Sequence, residues 1–150
     1  MSVIALDPGN STGWVFRDDN GKLIGGTIGE CHKDVWLLLQ QYDPDVVVFE
    51  TFQMYPSKAQ HLIWNTFYPV EVVGIIKLWY MLYDIKRDAW GGVTERKLVG
   101  LQPAVKKFAL STNEKELWKT VERVNGQPAT EHLRDAVRLL RYYERNLSGK

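Results

Sequence analysis

The chain has 150 residues, 45% hydrophobic and 25% charged, with six Trp, seven Tyr and five Phe, so it can build one packed core and is too apolar to be disordered. A single cysteine, Cys31, excludes an internal disulfide and a cysteine-based zinc site, and points to a reducing, intracellular setting. The net charge of +1 hides a division: residues 1–84 carry 5 basic and 10 acidic side chains, residues 85–150 carry 14 and 8, which suits a cation-binding centre beside a polyanion-binding surface.

Residues 2–6 read as a short buried strand that runs into Asp7, followed by the turn sequence "PGNSTG". Residues 13–17 alternate, "DDNG" at 18–21 signals a hairpin turn, and residues 22–28 continue as a third strand. Residues 34–42 place Val35, Trp36, Leu38, Leu39 and Tyr42 at helical spacing, and "DPD" at 43–45 stops that helix. "VVVFE" at 46–50 is a β-branched run without alternation, the mark of a strand covered on both faces. The order β-β-β-α-β predicts three antiparallel strands and a fourth lying parallel to the first. Residues 51–69 are irregular and aromatic, and residues 70–83 predict a helix so apolar all round that it should be central. A strand is expected at 97–102. Ser111 and Glu114 fit a capping box for a helix to about Val124, and Pro128 and Thr130 precede a last helix over 131–146. All 150 residues read as one domain. Residues 1–9 lack the basic start of a secretory signal, and the 70–83 stretch, broken by Glu71 and Lys77, is too short to span a bilayer.

The acidic residues carry the chemistry. Asp7 closes the first strand and Glu50 the fourth; on neighbouring parallel strands both carboxylates emerge at one end of the sheet, where such sheets bind ligands. Singly, Asp7 reads as a turn initiator and Glu50 as a solvated strand end. Together they are costly without a cation. On the last helix His132 and Asp135 stand three apart, along one edge of the stripe formed by Leu133, Ala136, Leu140, Tyr143 and Leu147. Arg134, Arg138, Arg141 and Arg145 fall in another sector, a basic ridge that is either a solvated face or a phosphate track. The oxygen-rich set Asp7, Glu50 and Asp135 prefers Mg²⁺, with Mn²⁺ as substitute. Two such ions can clamp the attacking water and the leaving oxygen in phosphodiester cleavage.

Asp7 in "ALDPGNSTGW", Glu50 in "VVVFETF", and His132 with Asp135 in "EHLRDAVRL" resemble, in order and context, the RuvC-type Holliday-junction resolvases of the ribonuclease H-like superfamily, across nearly the whole chain. The resemblance implies an α/β, ribonuclease H-like fold: a five-stranded mixed sheet of order 3-2-1-4-5 with helices on both faces. It implies a crossover junction endodeoxyribonuclease that leaves 5′-phosphate ends, acts on four-way DNA junctions and works as a homodimer, without a membrane. The setting would be the bacterial cytoplasm, with a short chain of the bacteriophage kind. Asp7, Glu50, His132 and Asp135 would be the metal and catalytic residues. "PAVKKF" resembles a lysine block of the family and points to Lys106, with Lys107 beside it, as DNA contacts; "NEKELW" points to Lys115 near the scissile phosphate. Phe52 and Tyr55 are candidates for the aromatic that stacks on an unpaired base. The chain departs from the pattern at "ALSTN", where a Gly-x-Gly-x-Ala segment is missing, and residues 84–96 have no family counterpart. Another nuclease of the superfamily, acting on flaps or RNA, and a non-catalytic DNA-binding module are the alternatives.

Overall fold

Every residue of the first strand, β1 (Val3–Asp7), is buried, as its unbroken apolar run requires. The computed structural model describes residues 1–29, 32–51, 68–103, 117–128 and 130–149. The further elements are β2 (Thr12–Arg17), β3 (Leu23–Ile28), α1 (His32–Tyr42), β4 (Val46–Glu50), α2 (Tyr68–Tyr83), β5 (Ile85–Arg87), β6 (Val93–Glu95), β7 (Lys97–Leu101), β8 (Glu122–Arg123) and α3 (Glu131–Asn146). The main sheet has the order β7-β4-β1-β2-β3-β8. β1 pairs antiparallel with β2 and parallel with β4, and β7 lies parallel to β4. The predicted order is thus present, with the 97–102 strand as its fifth member.

The β2–β3 turn follows its sequence signal. Asp18 Oδ1 accepts the N–H groups of Asn20 and Lys22 at 2.9 Å each, and Gly21 takes φ of +85° in the left-handed region.

Alternation along the strands separates two cores. Val3, Ala5, Val15, Val46 and Val48 pack under Leu133, Ala136, Leu139, Leu140 and Tyr143 of α3. Ile4, Leu6, Trp14, Phe16, Val47 and Phe49 pack against Val35, Leu38 and Leu39 of α1 and Val72, Ile76 and Trp79 of α2. Each fully buried Val, Leu or Ile adds roughly 1.5–3 kcal/mol to the burial term, so helices on both faces are what hold this sheet.

Three expectations need correction. The sheet has six strands among the described residues, because β8 adds a two-residue parallel pairing to the outer edge of β3. No helix runs to Val124. Leu117–Thr120 is a single 3₁₀ turn, Val121 dives into the α3-side core, and Asn125 and Gly126 adopt φ of 56° and 65°, which no right-handed helix contains. Ser111 and Glu114 lie outside the described residues. Finally, α2 is not central: it buries one stripe, Val72, Ile76 and Trp79, while Val70, Leu78, Met81, Leu82 and Tyr83 are exposed. It shares its sheet face with α1, so only one side of it is covered.

A two-stranded ribbon, β5 with β6, stands outside the main sheet and was not anticipated. It is rooted at the amino ends of β4 and β7. The buried Arg96 donates to Pro44 O at 2.8 Å and to Asp43, and its guanidinium lies 4.8 Å from the Trp79 ring centre. Lys86 donates to Asp43 O at 2.8 Å and to Asp45 Oδ1 at 3.1 Å.

Asp45 ties this corner to the chain start, accepting from Ser2 N–H at 2.8 Å and from its hydroxyl at 3.0 Å. Burial pushes against the charged Asp45 carboxyl, but the Ser2 N–H, Lys86 and the Ser2 hydroxyl outweigh it and hold the carboxyl below its ordinary value of 3.8. A lowered folded value means that the Asp45 contribution is complete above the unfolded value and fades as pH falls through the folded one. Asp45→Ala should therefore cost about 1–2 kcal/mol at neutral pH in urea unfolding, from lost hydrogen bonds, and the cost should shrink in acid. An equal cost at all pH values would contradict this anchoring role.

Candidate active site

β1 and β4 run in register, with Leu6 beside Phe49, so Asp7 and Glu50 follow at the same carboxyl end of adjacent strands. Asp7 continues the row of Val3 and Ala5, and Glu50 the row of Val46 and Val48, the rows that pack under α3. Both carboxylates therefore belong to the α3 face of the sheet. Asp7 is only 3% exposed, which is unusual for a carboxylate.

α3 brings the other two residues. Its N-cap, Thr130, accepts the Leu133 N–H at 3.2 Å, and its hydroxyl is hydrogen-bonded to that of Thr27 at 2.7 Å, which fixes the helix start to the end of β3. In the first turn, His132 Nδ1 stands 3.4 Å from Asp7 Oδ2. Asp135, on the next turn, is 15% exposed at its side chain and 3.4 Å from Arg138 Nη1.

A residue that the sequence analysis quoted without a role makes this possible. Gly13 is the cross-strand partner of Asp7, so the two share a face. A Cβ at Gly13 would stand 2.0 Å from His132 O and 2.1 Å from His132 C. The first turn of α3 lies directly on the Gly13 backbone, and that contact sets His132 against Asp7. A glycine four residues after "DPG" was the available signal. Gly9 sits close by: a Cβ there would lie 3.8 Å from His132 Cε1.

The structure thus brings Asp7 and His132 into contact and sets Glu50 beside Asp7 on the neighbouring strand. It does not close all four into a finished cage: among the described residues, no three His, Cys, Asp or Glu side chains stand ready around one point. The donor types still fit a hard divalent cation: Asp7 and Glu50 end adjacent parallel strands, and His132 and Asp135 stand three apart at the start of α3. A buried carboxylate in contact with an imidazole can hold a cation or orient a water molecule.

Of the basic ridge, Arg138 is paired with Asp135. Arg141 is 3.4 Å from Glu144, which also takes Arg17 Nε at 3.0 Å. Arg134 lies instead over the ring of Trp118. Phe52, Tyr55, Lys106, Lys107 and Lys115 lie outside the described residues. No helix of the described residues is long and apolar enough to cross a membrane.

No family model matches the chain, and no curated protein does. Solved structures do. Thermus thermophilus RuvC in complex with a Holliday junction substrate superposes with a TM-score of 0.58 at 18% identity, over 97% of this chain and 95% of that one. Fowlpox virus resolvase in complex with substrate Holliday junction DNA gives 0.59 at 16% identity, over 95% and 99%. The same viral resolvase in another structure gives 0.57 at 14% identity, over 97% and 99%. Over nearly its whole length, the chain has the ribonuclease H-like fold of these Holliday junction resolvases.

Proposed function

We propose that the chain is a metal-dependent endodeoxyribonuclease that cuts branched DNA, above all four-way junctions. The observation that carries this reading is the contact of His132 with the buried Asp7, beside Glu50, at the carboxyl end of the sheet. The same fold holds junction DNA in the Thermus and fowlpox complexes, which supports the choice of substrate.

In this reading Asp7, Glu50 and Asp135 would hold two Mg²⁺ ions, or Mn²⁺ in their place, with His132 as a further ligand or as the group that positions the attacking water. Such ions, when bound, lower the pKa of the attacking water and offset charge on the leaving 3′ oxygen. The water oxygen bonds to phosphorus and gives up a proton to solvent, the bond from phosphorus to the 3′ oxygen breaks, that oxygen takes up a proton from solvent, and the products are a 5′-phosphate and a 3′-hydroxyl. Lys115 approaches the scissile phosphate, while Lys106, Lys107, Arg134, Arg138 and Arg141 hold flanking phosphates. Phe52 or Tyr55 stacks on a base at the opened branch point. A symmetric junction needs two cuts, so the working form is a two-fold homodimer, and the exposed Leu78, Met81 and Leu82 of α2 offer apolar surface for it.

The test is a panel of synthetic substrates, comprising a four-way junction, a flap, a linear duplex and an RNA–DNA hybrid, each incubated with Mg²⁺ and with Mn²⁺. Paired, symmetry-related cuts confined to the junction are expected. Cutting of the flap or the hybrid alone would replace this reading, and binding without cutting would leave a DNA-binding module.

A further inference from the structure

Trp118 sits in the turn Leu117–Thr120, with its indole packed against the α3-side core. Two cations share that one ring. The Arg134 guanidinium carbon is 4.2 Å from the ring centre and Lys119 Nζ is 5.8 Å from it. Both residues are exposed. Arg138 and Arg141 each face a carboxylate of their own helix, whereas Arg134 forms no ion pair among the described residues. Stacking uses only the face of a guanidinium. Its five N–H donors lie in the plane and remain available at the edge, in the fork that matches two oxygens of a phosphate. Lys119 adds a second positive charge near the same ring. Two positive charges beside one ring raise the local potential, which favours an anion there.

We infer that Trp118, Arg134 and Lys119 form a phosphate clamp that grips the DNA backbone on the flank of the catalytic carboxylates, with Trp118 as the rigid plate that aims the arginine. Arg134 follows His132 by two residues, about 3 Å along the helix axis but about 200° around it, and stands about 100° from Asp135, so a phosphate held there lies to the side of the metal-binding residues. The inference rests on the nuclease reading, and adds to it the residue that orients the contact. Trp118 itself is a positioning residue.

The experiment uses the full chain carrying Asp7→Asn, so that DNA is bound without being cut. Its affinity for a fluorescein-labelled four-way junction is measured by anisotropy over a salt series. Adding Arg134→Ala should weaken binding about three- to tenfold and flatten the plot of log affinity against log salt by about one unit, the signature of one lost phosphate contact. Trp118→Leu, which removes no charge, should weaken binding to a similar degree, and Arg134→Ala in that background should add little, because both act through one contact. Melting curves check folding, and Trp118→Leu with Lys119 and Arg134 intact can be replaced by Trp118→Thr if the leucine variant does not fold. Unchanged affinity and slope in Arg134→Ala, or fully additive losses, would overturn the clamp. If the Asp7→Asn parent fails to prefer the junction over linear duplex at any salt concentration, the nuclease reading fails first; a parent that binds while Arg134→Ala changes nothing condemns the clamp alone.

Discussion

Replacing Asp7 with asparagine will cut the single-turnover rate of junction cleavage by about 10³-fold or more, and leave junction binding in place. The substitution keeps shape and the oxygen that faces His132 Nδ1 at 3.4 Å, but removes the charge. That charge belongs to a residue 3% exposed, on a strand end next to the one that carries Glu50. Burying a carboxylate is costly, and a divalent ion held at this strand end would offset that cost. Added Mn²⁺ should raise the melting temperature of the parent and do so much less for the variant, by mass action on the folded state alone. Cleavage at the parent rate would show that Asp7 has no part in the chemistry. Loss of rate together with loss of folding would show that it is structural.

The elements with a clear local cause were legible in the sequence. β4 comes out at Val46–Glu50 because a β-branched run bounded by "DPD" has few other uses, and α3 at Glu131–Asn146 because its apolar stripe and its Thr130 cap agree. The failures fell where tertiary context decides. The capping pair Ser111 and Glu114 pointed to a helix, yet Val121 is drawn into the core and Asn125 turns left-handed, and neither is visible in a local pattern. α2 is apolar on all sides, which in a lone chain means a central helix. It is a surface helix with surplus apolar area, as a helix that meets a partner would be. For the site, the carboxylates and His132 could be named from strand ends and helical spacing, because those rules fix direction. What brings them together could not. The closeness of α3 to the sheet depends on Gly13, and the aim of Arg134 depends on Trp118, and both are contacts between residues more than ten positions apart.

Gly13→Ala will be severely damaging, because of all the glycines Gly13 has the shortest contacts for an added Cβ. The new Cβ would meet His132 O at 2.0 Å, His132 C at 2.1 Å and Leu133 N at 2.6 Å. None of these is the end of a flexible side chain, so the helix start itself must rise off the sheet. That start is held by the hydroxyl pair of Thr27 and Thr130 at 2.7 Å, and Leu133 beneath it is fully buried, so neither can follow without loss. Overpacking of this kind should cost about 3 kcal/mol in urea unfolding. Cleavage should fall further than stability explains. A displacement of His132 by about 1 Å from Asp7 is enough to reduce a rate by about 10²-fold in the fraction that stays folded. Gly74→Ala is the control: it sits in α2 with nothing near its Cβ, and should raise stability by about 0.5–1 kcal/mol through helix propensity alone. If Gly13→Ala unfolds and cuts like the parent chain, α3 does not rest on β2 at this point, and His132 reaches Asp7 by some other route or not at all.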